Sequence, residues 1–468
     1  MSEQPKTARL LYIDWLRGLA VLCMLEAHVF SAWVRPELKT TLAFRWAQVV
    51  AGYAAPLFLF LTGVGMVLAF EAALRKGTPL KDAVRAARSR GLMLFVAAFV
   101  FRIQEHVLGG GPVANVFKVD ILNCIGLSAM IAATVALPRE PGRLAWRALG
   151  IALLVFAATP YVARIPWPSW APWHLTSYIT DQRTWFFPLF PWLGYLCAGM
   201  FAGTVWARAH SDKTPPHHLH VTSDLRTGNV LMLGTIAFGL ALVGASWFLT
   251  GQPSPRFIFF GATSRNLPAY AAAHLGWICI LAGLFAFAQR WAVPPRFGPV
   301  RQLGRTSLLV YWVHVDLVYG HLAGSEALNL KGQLTVQQAL VAFVVLTLLM
   351  LALSWVRTRY FSAFKPSVVF PRLWREFLAE VRAAGNPGAT PGTSFADHGA
   401  KAHGRRGDVR GLLQGSLGQD TPHHVPQEQA PIGALVPLQT TGHRGSPAQD
   451  EAPGDAASSP NRAMSLKR

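Results

Sequence analysis

Between residues 11 and 356 the chain returns repeatedly to runs of about 20 predominantly apolar residues, the length an α-helix needs to cross the hydrocarbon core of a bilayer. The runs lie near 11–33, 46–70, 91–108, 119–137, 146–163, 185–206, 229–249, 271–290, 304–322 and 336–356. Inside hydrocarbon a segment has no water for its backbone polar groups, so runs of this length fold as helices. Turn-forming residues bound several of them: Gly109 to Pro112 after the third, Pro138 to Gly142 after the fourth, and Pro294 to Pro299 before the ninth. The expected fold is an all-α integral membrane protein, a bundle of about ten transmembrane helices. Composition agrees, with 52% hydrophobic and 14% charged residues, whereas soluble domains are about a quarter charged.

A formal charge of +20 raises the question of nucleic acid. The basic residues, however, sit between apolar runs rather than in one stripe, so they read as topology signals and lipid-headgroup contacts, and no nucleic-acid partner is expected. Loops on the side of the N-terminus carry about twice as many Lys and Arg as those opposite, which predicts that both termini are cytoplasmic, in a cell (inner) membrane. Cys23, Cys124, Cys197 and Cys279 all fall inside apolar runs and form no CxxC pair. They read as small buried residues. The first run is expected to be retained rather than cleaved, because Glu26 and His28 interrupt it and no small-x-small cleavage site follows. From about residue 384 the text turns rich in Gly, Pro, Ser, Gln and Ala, as in "NPGATPGTSFADHGAKAHGRRGD". The expected organisation is a transmembrane domain over 1–375 followed by a disordered cytoplasmic tail over 384–468.

Ionisable side chains are costly inside a membrane, and each one there points to function by default. The first run, "YIDWLRGLAVLCMLEAHVF", carries several. Arg17 and His28 are eleven residues apart, about 20° beyond three full helical turns, and Asp14 lies nearly one turn before Arg17. The three share a face, and Glu26 points to the other side. His28 stands about 16 Å further along the helix than Arg17. That separation suits a fixed cation, oriented by Asp14, that meets an anion near the cytoplasmic surface, and an imidazole that handles a proton beyond the midplane. The same pattern also fits an arginine snorkelling to headgroups and a histidine hydrogen-bonded between helices.

Three further groups stand out. In "FRIQEHVLGGG", Arg102, Glu105 and His106 lie one turn apart near the outer end of the third run, either a charge-compensated set beside an acceptor site or a solvated ion pair. Asp120 and Asn123 open the fourth run, where Asp120 reads as a helix cap. In "LGRTSLLVYWVHVDLVYG", Ser307, Tyr311 and His314 fall on successive turns as a polar seam, suited to an acceptor or base or to holding helices together. His217, His218 and His220 in "PPHHLHV" lack the further ligands of a zinc site, and no metal is expected.

Taken in order, these segments resemble the membrane acyltransferase superfamily that includes the heparan-alpha-glucosaminide N-acetyltransferase catalytic domain and the acyltransferase-3 proteins. The resemblance spans about residues 9 to 356. It is carried by "RLLYIDWLRGLAVLCMLEAH", similar to that superfamily's opening Asp-x-x-Arg-Gly helix with a His eleven residues after the Arg. "APLFLFLTGVGM", "DILNCIGLS", "FPLFPWLGYLCAGMFAG" and "LGRTSLLVYWVH" carry it further. It implies transfer of an acetyl or other acyl group from cytosolic acyl-CoA, as co-substrate, to a glycan or similar acceptor at the opposite face. By the same resemblance Arg17 engages the acyl-CoA and His28 is the catalytic histidine. The chain departs from the animal heparan enzymes, which have Asn where His28 stands and a proposed catalytic His where this chain has Lys39. The departure points to a bacterial-type glycan acyltransferase.

The mechanism expected from these residues has His28 as general base on the acceptor, Tyr311 or His314 stabilising the developing oxyanion, and Arg102 on the substrate side. A transporter or flippase-like protein using the same charges as a substrate path is the competing expectation, although the sequence shows no clear inverted repeat.

Overall fold

The computed structural model describes residues 11–110, 112–137, 141–180, 187–211, 221–250, 268–291, 298–319 and 330–361. Within them the chain is helical. The elements are α1 (Leu11–Trp33), α2 (Leu42–Ala51), α3 (Ala54–Arg75), α4 (Leu80–Gly109), α5 (Ile121–Val135), α6 (Leu144–Val162) and the short α7 (Trp173–Thr176). They continue with α8 (Leu189–Ser211), α9 (Val221–Thr250), α10 (Pro268–Trp291), α11 (Pro299–Arg305), α12 (Ser307–Tyr319) and α13 (Val336–Tyr360). The tail expected from residue 384 and the histidines at 217, 218 and 220 lie outside the described residues.

Eight helical segments among the described residues are long and apolar enough to cross a membrane. They correspond to eight of the expected runs. The remaining two, 11–33 and 304–322, are α1 and the α11–α12 pair, which carry the buried ionisable side chains Asp14, Glu26, His314 and Asp316. The ninth run is not one helix: it breaks at Thr306 (φ −118°, ψ 23°), which separates a seven-residue α11 from a 13-residue α12. The second run likewise divides into α2 and α3 at Gly52 and Tyr53, and Pro56 falls in the first turn of α3, where a missing N–H costs nothing. The third begins earlier than its apolar core, because "LKDAVRAARSR" continues the helix with basic residues.

Between helices in a bilayer, close packing and hydrogen bonds replace the hydrophobic drive of water, so small residues mark the tightest crossings. The α3–α8 crossing depends on two of them. A Cβ on Gly199 would collide with the backbone of Phe60, and one on Gly63 with the backbone of Leu196. Gly239 and Gly276 allow the same approach of α9 to α10.

Three clusters of buried apolar side chains organise the bundle. One gathers α5, α6 and α8 around Leu144, Tyr195 and Met200. The others both include α1: with α12 and α13 on one side, through Leu25, Val29 and Val315, and with α3 and α10 on the other, through Leu16, Leu57 and Ile278. Helix α1 is therefore internal, whereas α9 and α13 present apolar side chains outward, among them Phe248 at 86% and Val341 at 63% exposure. These are lipid-facing surfaces by their chemistry. The far end of α1 is pinned by the 330–334 turn: the Leu334 N–H donates to Trp33 O (2.8 Å), the Arg35 N–H donates to Leu334 O (3.0 Å), and the Gly332 N–H donates to Ala32 O (2.9 Å). Trp33 Nε1 donates to Val318 O (2.9 Å), so α12 climbs beside α1 in the same direction.

Candidate active site

At the end of the bundle that holds the start of α1, Asp14 is buried and stands between two arginines. Its Oδ1 is 3.8 Å from Arg17 Nη1 and its Oδ2 is 3.7 Å from Arg301 Nε. The approach of α11 depends on glycine: a Cβ on Gly304 would strike the backbone of Asp14, and one on Gly18 that of Val300. Arg17 itself lies over Gly65 of α3, where a Cβ would stand 2.8 Å from Nη2. The buried Gln302 fastens α11 to α13, with Nε2 donating to Ser354 O (2.8 Å), Ser354 Oγ (3.0 Å) and Thr358 Oγ1 (2.9 Å). The expectation that Asp14 orients Arg17 thus acquires a second cation, Arg301, whose sequence position reads only as a loop charge.

About three turns along α1 the second group assembles. The His28 and His314 rings meet edge to face with centroids 5.0 Å apart, and the Tyr319 ring also meets His28 edge to face at 5.6 Å. His314 is fully buried, and its Nδ1 lies 2.7 Å from Val310 O. A carbonyl oxygen only accepts, so Nδ1 carries the proton and the neutral ring presents its Nε2 lone pair. That Nε2 and the Nδ1 of His28 are buried without hydrogen-bond partners among the described residues.

One turn before His314, Tyr311 Oη donates to Asp120 Oδ2 (3.3 Å). The same oxygen is 3.4 Å from Arg102 Nε, and Arg102 Nη1 donates to Glu105 Oε2 (2.6 Å). Asp120 does two jobs, because its Oδ1 accepts from the Asn123 N–H (2.9 Å) while Asn123 Oδ1 accepts from the Asp120 N–H (3.2 Å). It is both the cap of α5 and the anion that neutralises Arg102. Arg102 and Glu105 form the compensated pair expected from their spacing. His106 Nδ1 finds no hydrogen-bond partner among the described residues.

Two features, the Gln104–Asp316 tie and the His274 stack, were not singled out from the sequence. Gln104 Nε2 donates to Asp316 Oδ2 (2.7 Å) and Trp312 Nε1 donates to Gln104 Oε1 (2.7 Å), a polar tie between α4 and α12. Asp316, two residues past His314 in an apolar run, was a visible signal by the rule that intramembrane charge is functional. On the opposite face of α1, Glu26 is 8% exposed and neither carboxylate oxygen has a hydrogen-bond partner among the described residues. On α10, His274 stacks on Tyr270 (4.0 Å) and leans on Tyr53 (4.7 Å). Among the described residues no group of three or more His, Cys, Asp or Glu is placed to hold a metal ion.

The site therefore joins a cationic end, Arg17 and Arg301 about Asp14, to an imidazole pair backed by a neutralised Arg–Asp–Tyr chain roughly 16 Å deeper. Residues 9–234 match the family described as heparan-alpha-glucosaminide N-acetyltransferase, catalytic. The matched stretch takes in Asp14, Arg17, His28, Arg102 and Asp120, and stops before the helices that carry Arg301, Tyr311 and His314. No curated protein matches the chain at a significant level. Its helices make the chain an integral membrane protein, and over residues 9–234 it is similar to the heparan-alpha-glucosaminide N-acetyltransferase catalytic domain of the membrane acyltransferase superfamily, a similarity that supports an acetyltransferase-type enzyme.

Proposed function

We propose that the protein moves an acetyl or other acyl group from cytosolic acyl-CoA to a hydroxyl or amine of a glycan or similar small acceptor at the opposite face of the membrane. The observation that carries this reading is the pairing of His28 with His314, 5.0 Å apart and beside the Tyr311–Asp120–Arg102 chain. In the proposed topology both termini are cytoplasmic, so the donor's phosphates meet Arg17, held by Asp14, and the thioester reaches towards His28. The acceptor oxygen or nitrogen attacks the thioester carbonyl carbon while its proton passes to His28. The carbon–sulfur bond then breaks, and the departing thiolate takes that proton from the imidazolium to leave as CoA thiol.

His314 and Tyr311 act on the charged stage of this reaction rather than on the resting site. The His314 ring offers a lone pair at Nε2 and donates there only while it shares the acceptor proton taken up by the adjacent His28, and the Tyr311 hydroxyl donates to Asp120 until a stronger acceptor displaces it. Arg102 lies on the acceptor side of the same chain. The test is transfer of label from radiolabelled acetyl-CoA to candidate glycans by purified protein in proteoliposomes. Normal turnover by His28→Ala overturns the assignment, and uptake of the glycan without acylation supports a transporter instead.

A further inference from the structure

His314 is held on α12 by the contact of its Nδ1 with Val310 O of the same helix, and its Nε2 has no hydrogen-bond partner among the described residues. Its place against His28 is therefore set by how α12 is turned about its own axis. We propose that Gln104 of α4 sets that turn, as a positioning residue for acyl transfer that acts through His314 and does not itself touch the reactants. The inference rests on the reading above of His28 and His314 as the reacting pair, and adds the side chain that keeps the pair together.

Three observations carry it. The first is the form of the contact, in which one amide serves two partners: Gln104 Nε2 donates to Asp316 Oδ2 (2.7 Å) and Gln104 Oε1 accepts from Trp312 Nε1 (2.7 Å). Trp312 and Asp316 are four residues apart and stack on one face of α12, so a single planar group spans a full turn. One hydrogen bond acts as a pivot, whereas two spaced along the axis resist rotation. The second is placement. His314 stands about 200° around the helix from Trp312, so Gln104 grips the back of α12 while His314 faces α1 from the front. With side chains reaching about 5–6 Å from the axis, a rotation of about 20° carries the His314 ring by about 2 Å. A misplacement of about 1 Å at a reacting group costs on the order of 10²-fold in rate. The third is what else holds α12. The non-helical Thr306 separates it from α11, and Trp33 Nε1 ties its far end through Val318 O, a backbone atom close to the axis with little leverage on rotation. The Tyr311–Asp120 bond is a further lateral tie, and at 3.3 Å it is longer than either bond of Gln104. The buried Phe101, one turn before Gln104 on α4, packs on Trp312 at 5.1 Å and supports the same grip.

The experiment measures transfer of label from acetyl-CoA to a chitosan oligosaccharide, which offers both amines and hydroxyls, by the full chain in proteoliposomes. Each variant is also solved by cryo-electron microscopy in nanodiscs. Gln104→Ala is expected to lower kcat about 10- to 100-fold while KM for acetyl-CoA changes by less than about twofold. Its His28–His314 ring separation is expected to lengthen by about 1 Å or more. Gln104→Glu sets a second carboxylate against Asp316 and is expected to lose as much activity. Combining Gln104→Glu with Asp316→Asn exchanges donor and acceptor, so the introduced carboxylate accepts from both Trp312 Nε1 and the amide at 316. That double variant is expected to recover kcat to within about threefold of the unmodified protein. If Gln104→Ala keeps the 5.0 Å separation, or the double variant is no better than Gln104→Glu, Gln104 is a structural tie only and the inference falls, with the acyl-transfer reading intact. If the separation lengthens and kcat is unchanged, the two histidines are not the reacting pair and both fall. If the unmodified protein transfers no label, the acyl-transfer reading falls, and the ring separations alone decide whether Gln104 positions His314.

Discussion

His28 of α1 and His314 of α12 stand edge to face with ring centroids 5.0 Å apart, two imidazoles brought together from the first and the last third of the described chain. If the pair handles the acceptor proton, His28→Ala lowers kcat by about 10²- to 10⁴-fold, the usual worth of a positioned base. His314→Ala is expected to fall in the same range, and the double variant to be little worse than either single one, since both act on one proton. Single-turnover kinetics with labelled acetyl-CoA measure this. CoA affinity should be unchanged in all three.

Asp120 separates a capping role from a charge role, because its two oxygens serve different partners. Asparagine caps a helix about as well as aspartate but carries no charge. Asp120→Asn is therefore expected to keep α5 intact while leaving the partly buried Arg102 paired with Glu105, at a cost of about 2 kcal/mol for the lost charged contact. Tyr311→Phe removes one hydrogen bond to the same oxygen and is expected to cost about 1 kcal/mol. Denaturation in mixed micelles, followed by tryptophan fluorescence, ranks the two.

Gly65 tests the placement of Arg17 without touching its charge. The methyl group of Gly65→Ala would stand 2.8 Å from Arg17 Nη2, so the guanidinium must move. The expected outcome is a rise of about tenfold in KM for acyl-CoA with kcat nearly unchanged, the signature of lost uniform binding. Steady-state kinetics with the acceptor saturating read it directly.

The close crossings predict where a single methyl group is tolerated. Gly199→Ala puts its Cβ into the backbone of Phe60 and is expected to destabilise α3 against α8 by about 3 kcal/mol or more. Gly234→Ala, in the middle of α9 with nothing within 4 Å, is expected to stabilise by up to about 1 kcal/mol through helix propensity alone. Thermal-shift measurements on the two variants should move in opposite directions.

Glu26 offers the reverse experiment, removal of a buried polar group. Its carboxylate oxygens are buried without hydrogen-bond partners among the described residues, at the apolar contact of α1 with its neighbours. Glu26→Leu is expected to raise stability by about 1–3 kcal/mol while CoA binding stays the same. A loss of activity with gained stability assigns Glu26 a part in the reaction.

The spacing of apolar runs determined, without any structure, that the chain is a bundle of membrane helices, because hydrocarbon permits no other backbone of that length. Helical periodicity also determined that Asp14, Arg17 and His28 share a face with Glu26 opposite, and that Arg102 pairs with Glu105, since each of these relations lies within one helix. Everything that joins different helices was decided by tertiary packing. The break at Thr306 between α11 and α12, the arrival of Arg301 at Asp14, the division of Asp120 between Asn123 and Arg102, and the meeting of His28 with His314 depend on which small residues let two backbones approach. A periodicity reports a face but not its neighbour. Glycines 18, 63, 199 and 304 choose the neighbour by leaving room for it.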